Sequence, residues 1–424
     1  MVTSNGHPGP LAGVRIVDMT TVLMGPYATQ ILGDMGADVI KVESPQGDGS
    51  RKIGPMRNPG MGALFMHINR SKRSIVLDLK TELGHAALRR LIETADVLIY
   101  NVRPQAMARL RLSYEDVAAI NPRIIYVGAY GFGQNGPYAS KPAYDDLIQG
   151  AVGLPMLAMR AGSDWPRYVP VTIADRAVGL NLVNAVTAAL YHREKTGEGQ
   201  SIGVPMFETM VQFVAGDHLG GLTFEPPLGG SGYERLLSPE RRPYATRDGY
   251  VCAVIYNDNH WRDFFTLVGQ GELVRTDPRF VDLQTRTQHV DELYQMVADI
   301  IATRTTAEWL VALEEIDVPV MPVHTIEELL HDPHLKAIDF FQAVEHETEG
   351  PVVSMAVPSS WSRSQPQPSR LAAQLGQHSV EILREIGFGE AEIAALTGDS
   401  ATGKAASPAQ PDTPPQKLSE VPRA

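Results

Sequence analysis

In the first half of the chain, short apolar runs alternate with stretches of helical spacing. Residues 14–18 (VRIVD) read as a buried strand. Residues 25–36 then set Tyr27, Ile31, Leu32 and Met35 on one helical face, with Gly33 and Gly36 weakening or ending that helix. Residues 37–42 form a second strand, 83–94 a helix, 96–100 a third strand and 123–127 a fourth. Strands alternating with helices predict an α/β fold with a doubly wound parallel sheet. Residues 175–195 are apolar nearly all round, which predicts a helix buried on most faces. His192, Arg193 and Lys195 fall in its last turn, with Gly197 as the residue after its end.

The pattern changes at residues 224–233, where Pro226, Pro227, Gly229, Gly230 and Gly232 cluster, marking a linker or mobile loop. A second α/β pattern follows over 244–323, with a strand at 250–255 and helices near 258–268, 291–303 and 306–316. Residues 354–396 close with helices at 379–386 and 390–396. Residues 401–424 hold five prolines and no aromatic residue, the composition of a disordered tail.

With 424 residues, 43% hydrophobic and 20% charged, the chain has the material for two or three globular domains. Its net charge of -12 argues against a nucleic-acid binder, though not against a local basic site. A single cysteine, Cys252, excludes a disulfide framework or a cysteine-rich metal site, and its place in a strand predicts a buried structural thiol. The longest apolar stretch, 177–191, contains Asn181, Asn184 and Thr187 and is too short and polar to span a membrane. Residues 1–10 lack the apolar core of a secretory signal, so a soluble cytoplasmic protein with no membrane partner is expected.

Several features carry candidate chemistry. Gly131-Phe-Gly-Gln-Asn-Gly136 has the G-x-G-x-x-G spacing and follows a strand, but Pro137 and Pro142 come where a dinucleotide site needs a helix. A glycine-rich turn or active-site loop is expected instead, with no nicotinamide or flavin. Between residues 41 and 80, Lys41, Arg51, Lys52, Arg57, Arg70, Lys72, Arg73 and Lys80 face only Glu43, Asp48 and Asp78. Arg103, Arg109 and Arg111 follow. This is either a solvated basic face or a polyanion site at the carboxyl edge of the parallel strands, where Glu43 and Asn101 end their strands. Asp175 opens the long helix, as an N-cap or as a carboxylate nucleophile. His331 and His334 read as part of a turn, and no metal site is expected.

Several of these segments together resemble class III CoA-transferases, the CaiB/BaiF family that includes formyl-CoA:oxalate and carnitine CoA-transferases. The resemblance rests on residues 11–18 (LAGVRIVD), 25–29 (GPYAT), 36–43 (GADVIKVE), 69–74 (NRSKRS), 131–137 (GFGQNGP), the Asp175 segment, 192–200 (HREKTGEGQ), 277–280 (DPRF) and 318–322 (VPVMP).

The resemblance implies a Rossmann-like large domain with a parallel sheet plus a smaller α/β domain, in an interlocked homodimer. The division expected is 1–223 for the large CoA-binding domain, 224–330 for the small domain with its glycine-rich loop, 331–400 for a segment returning to the large domain, and 401–424 for the tail. It implies a CoA-transferase acting on an acyl-CoA and a small carboxylic acid, with Asp175 as nucleophile through aspartyl anhydride and aspartyl-CoA thioester intermediates. Coenzyme A would be held by Val22, Leu23, Lys72, Arg73, Asn101, Val102, Arg103 and Arg109. Tyr27, Tyr138, Tyr144 and Asp145, with Met24, would form the substrate pocket, and Gly229 and Gly230 a lid. Formyl-CoA transferase-like members have Gln where Leu23 stands and Arg where Ser44 stands, which puts oxalate specificity and one nucleotide contact in question. The alternatives are an α-methylacyl-CoA racemase, which would need a histidine where Tyr144 stands, and a non-catalytic CoA-binding protein.

Overall fold

In the computed structural model, which describes residues 9–398, six parallel strands form one sheet. They are β1 (Arg15–Met19), β2 (Asp38–Glu43), β3 (Lys72–Val76), β4 (Val97–Tyr100), β5 (Ile125–Tyr130) and β6 (Gln200–Pro205). The order β3-β2-β1-β4-β5-β6 is the doubly wound one, with the direction of winding reversing between β1 and β4. Helices α1 (Met24–Asp34), α2 (Ala63–Ile68), α3 (Glu82–Thr94), α4 (Pro104–Arg109), α5 (Tyr114–Ile120), α6 (Asp145–Ala151), α7 (Leu154–Arg160), α8 (Ile173–Thr196) and α9 (Met206–His218) surround it. One apolar core joins α1, α8 and α9 to the sheet, and a second joins α3 and α5 to its other face.

Strands β3 and β6 are absent from the sequence expectation. Lys72, Arg73 and Ser74 hide β3 behind polar letters, and the edge strand β6 alternates exposed and half-buried residues. Helix α8 is also less enclosed than its composition suggests. It buries Val178, Leu182, Val183, Val186 and Ala189 on one side, while Leu180, Asn184 and Tyr191 face outward.

The next segment builds a separate core from α10 (Glu234–Leu237), α11 (Asp258–Leu267), α12 (Gly271–Thr276), α13 (Leu283–Gln288), α14 (Val290–Ile301) and α15 (Thr306–Glu314). These accompany an antiparallel sheet of β7 (Tyr244–Ala245), β8 (Tyr250–Ala253) and β9 (Val320–Pro322). Trp261, Phe264, Phe265 and Trp309 fill its centre. Cys252 is exposed, not buried: alternation along β8 turns Val251 inward and Cys252 out.

After α16 (Ile326–Leu329) and α17 (Pro333–Ala337), the hairpin β10 (Phe341–His346) and β11 (Gly350–Met355) leads to α18 (Ser379–Glu385) and α19 (Glu390–Thr397). Ile382, Leu383, Phe388 and Ile393 return to the core beside α3. Residues 401–424, with the tail expected there, lie outside the described residues. Among the described residues no helix is long and apolar enough to cross a membrane.

Most of the basic run folds inward. Lys41 pairs with Asp48, Arg51 with Glu43, Arg70 with Asp34 and Lys72 with Asp18, all buried. Buried Arg73 pairs with Asp38, Glu381 and Glu385, at the amino edge of the sheet, clasping α18 to it. Three of these carboxylates precede residue 41 and two come from the end of the chain, so the local excess of positive charge vanishes on folding. Lys72 uses its ammonium on Asp18 at 3.1 Å, the Pro26 carbonyl at 2.8 Å and Asn69 Oδ1 at 2.8 Å. Its three donors are thereby engaged. The phosphate contacts expected of Lys72 and Arg73 are therefore not what their side chains make: both are structural ion pairs.

Lys72→Ala leaves the Asp18 carboxylate buried without its cation, so it is expected to cost about 3–5 kcal/mol in urea unfolding. An unchanged unfolding midpoint with lost CoA affinity would return Lys72 to a ligand-binding role.

Candidate active site

The winding reverses between β1 and β4, and in doubly wound sheets the carboxyl ends of the strands at such a reversal are where ligands bind. The loop leaving β1 is fixed from both sides. Asn101, just past β4, accepts from the Thr21 amide at 2.9 Å and donates to the Thr21 carbonyl at 2.7 Å. Asp48 accepts from the Val22 amide at 3.1 Å, and its other oxygen holds Lys41. Between these grips Val22 has φ of 71°, a costly conformation for a β-branched residue, held by its surroundings. The Val22 side chain is exposed, as are Val102 and Arg103 beyond β4 and Arg109 at the end of α4. Leu23 is only 3% exposed and Met24 5%, so both side chains belong to the interior. The Gln-to-Leu difference at 23 consequently bears on packing beneath the loop.

Helix α1 starts at this loop and lies tightly on α8. A methyl group at Gly179 would stand 2.9 Å from Tyr27 Cδ1 and 3.0 Å from the Met24 carbonyl oxygen, so the close contact requires glycine there. This brings the first turn of α8 beside the first turn of α1. The Arg176 guanidinium stacks on the half-buried Tyr27 ring, 4.4 Å from its centre.

Asp175 lies in that first turn, half-buried. It is not the N-cap: Thr172 holds that position, without a side-chain cap. The capping carboxylate comes from α6. Asp145, 7% exposed, accepts the Asp175 amide on Oδ1 at 3.0 Å. Its Oδ2 accepts from Gln149 Nε2 at 2.6 Å, and Gln149 Oε1 accepts the Val169 amide at 2.9 Å. Burial, and then the Asp145 charge, push the Asp175 carboxyl up to about 7, against the pull of Arg176. The site thus offers a carboxylate that titrates near neutrality, with its own side chain uncommitted to a cation. That is the condition of a group available for covalent or proton chemistry.

The other expected pocket residues spread out. Tyr144 is 64% exposed and precedes α6. Tyr138 is exposed, packs edge-on against Phe132 and lies under the Lys141 ammonium. No helix starts in the loop 131–136, as expected from Pro137 and Pro142 after it, and its Gly133 amide is occupied by Glu208 at 2.8 Å. That amide is not free to stabilise an oxyanion. Gly229 and Gly230 are exposed, and Gly230 lines a cavity of about 670 Å³ with Arg160 and residues of α14. Asp175 is not among its walls.

Sequence reading overlooked Gln149, Arg176 and Gly179. The spacing of Asp145 and Gln149, four residues apart at a helix start, was a usable signal. Gly179 was not distinguishable from any other helical glycine.

The family model described as CoA-transferase family III matches residues 11–379. The chain is 34% identical over 386 residues to a succinate–glutarate CoA-transferase of Agrobacterium fabrum, covering 89% of this chain and 96% of that protein. It is 30% identical to a formyl-CoA:oxalate CoA-transferase of Escherichia coli, over 91% of this chain and 98% of the relative. A crystal structure of a CaiB/BaiF family protein from Brucella suis superposes with a TM-score of 0.75 at 33% identity, covering 89% of this chain and all of that one (100%). A match of this extent to the family model, in the sequence and in the doubly wound fold that carries Asp175, makes the chain a member of CoA-transferase family III, an enzyme family that transfers coenzyme A.

Proposed function

We propose that this enzyme moves CoA from an acyl-CoA to a small carboxylic acid through covalent intermediates on Asp175. The observation that carries the reading is the carboxylate itself, held at the start of α8 by Asp145 and titrating at about 7. An Asp175 oxygen attacks the donor thioester carbonyl; the C–S bond breaks, and the electron pair leaves on the CoA sulfur. The resulting thiolate attacks the aspartyl carbonyl of the mixed anhydride, releasing the donor acid and leaving an aspartyl-CoA thioester. The acceptor carboxylate then attacks this thioester, and the freed thiolate takes the acceptor's acyl group from the second anhydride. Each step exchanges one acyl bond for another, which divides a difficult transfer into easier ones.

The carboxyl edge of the sheet beside Val22, Asn101 and Val102 is where CoA would lie, with exposed Arg103 and Arg109 meeting its phosphates. Lys72 and Arg73 have no part in this. The relatives named for succinate, glutarate and oxalate support short dicarboxylic acids as the acid partners. An interlocked homodimer is part of the same reading. Trp165, Tyr168, Leu180, Tyr191, Phe213 and Phe224 are exposed on a single chain, apolar side chains that a partner could cover. A racemase would need a second base opposite Asp175. Tyr144 lacks the chemistry, and Asp145 is committed to the Asp175 amide and Gln149.

Asp175→Ala is expected to lower CoA exchange between an acyl-CoA and a free acid by at least about a thousandfold, with CoA affinity within a few-fold of the parent. Wild-type exchange in this variant would sink the reading. A second outcome concerns stability. The carboxyl of Asp175 titrates at about 7 in the folded chain against 3.8 in its absence. The folded state therefore holds a proton that the unfolded state has lost, and stability falls as pH rises from near 4 to near 7. Asp175→Asn removes this penalty. Its Tm should exceed that of the parent at pH 8, with the gap closing toward pH 4; a gap independent of pH would contradict the raised pKa.

A further inference from the structure

We infer that Asp145 is a positioning residue for the transfer reaction, fixing the Asp175 backbone and supplying a negative charge whose repulsion is relieved when Asp175 is acylated. This rests on Asp175 being the nucleophile, and it replaces the pocket-lining role that the sequence alone suggests for Asp145.

The placement is unusual for two carboxylates. Asp145 is 7% exposed, its accepting interactions are with the Asp175 amide and the Gln149 amide group, and among the described residues it makes no salt bridge. Gln149 is in turn buried and fixed by the Val169 amide, so the chain from 169 through 149 and 145 to 175 leaves the Asp145 carboxylate little freedom to turn away. Two charges act on Asp175: Asp145 from α6 and Arg176 from its own helix. The other neighbours contribute little charge. Helix α1 presents the neutral Tyr27 beneath Arg176, and burial with the Arg70 and Arg176 charges keeps His67 of α2 toward its neutral form. Glu208 of α9 acts on Tyr130 of β5 and on the Gly133 amide. Asp146, the next residue of α6, is exposed.

The chemical consequence follows from charge balance. Before reaction two negative charges face each other at the start of α8. When an Asp175 oxygen bonds to the thioester carbon, Asp175 becomes a neutral acyl group and the charge departs on the CoA sulfur. The repulsion exists in the free enzyme and is gone in the anhydride and in the aspartyl-CoA thioester. It therefore makes the carboxylate more basic and the covalent states more accessible. A lone Asp at a helix N-terminus would have the opposite tendency, because the helix dipole favours its ionised form.

Asn and Ala at position 145 separate the two contributions. Asp145→Asn keeps an oxygen for the Asp175 amide and removes the charge; Asp145→Ala removes both. In Asp145→Asn the pH midpoint on the acid side of kcat/KM is expected to fall by about one unit or more. The fraction of enzyme trapped by hydroxylamine at Asp175 during turnover should fall with it. Asp145→Ala should show the same shift in midpoint and a further loss of kcat of about tenfold to a hundredfold, from the released helix start. A parental pH midpoint and parental trapping in both variants would overturn the inference. Because Asp175→Ala is measured alongside, its inactivity in that case would leave the nucleophile in place and remove only the role of Asp145; its full activity would remove both.

Discussion

The contact of α1 with α8 sets the geometry of everything above it. It is possible because Gly179 leaves room for Tyr27 and for the Met24 carbonyl, and a side chain there would push the two helices apart. With that contact in place, the start of α8 stands beside the start of α1, and α1 begins at the loop where the sheet reverses its winding. Asp175 is thereby set beside the start of α1 by helix packing rather than by a flexible loop. Asn101 and Asp48 complete the frame by holding residues 21 and 22.

Charge is divided between two uses. Within the sheet, burial would raise Asp18, but the Lys72 and Lys41 ammonium groups, with Thr20 and Thr29, hold it at about 2, so it stays ionised. Burial lowers Lys72 to about 8, opposed by Asp18, and the pair remains charged at neutral pH. Such pairs contribute little net stability, yet removing one partner is costly, so they fix geometry. Asp175 is the contrasting case. Its nearest cation, Arg176, is drawn over the Tyr27 ring, and its nearest carboxylate is a neighbour of like charge. A paired carboxylate is inert; an unpaired one in partial burial is reactive.

Much of this was legible in the sequence where period and chemistry agreed. The strands 14–18, 37–42 and 96–100 and the helix 83–94 lie within two residues of β1, β2, β4 and α3. The run Lys72-Arg73-Ser74 misled twice. Its polar letters concealed a buried strand, and its positive charge suggested a phosphate site whose neutralising carboxylates lie 35 to 312 residues away in sequence. Long-range pairing of that kind has no local signature. Asp175 was found through the motif it belongs to. That Asp145 rather than Asp175 acts as the cap was not legible, because it depends on how α6 meets α8. Cys252 was misplaced for a simpler reason: a small sheet covered on one face exposes every second residue.

The central claim is that the oxygen atoms of Asp175 pass into the reacting acids. The direct measurement is turnover with an acceptor acid labelled in both carboxylate oxygens with oxygen-18, followed by mass spectrometry of the peptide containing Asp175. The second anhydride is bridged by an acceptor oxygen, and the thiolate takes the acceptor's acyl group, so that oxygen stays on Asp175. The account predicts an Asp175 peptide heavier by one labelled oxygen, with label reaching the released donor acid on later turnovers. An unlabelled Asp175 peptide, with label passing straight from acceptor to donor acid, would contradict it.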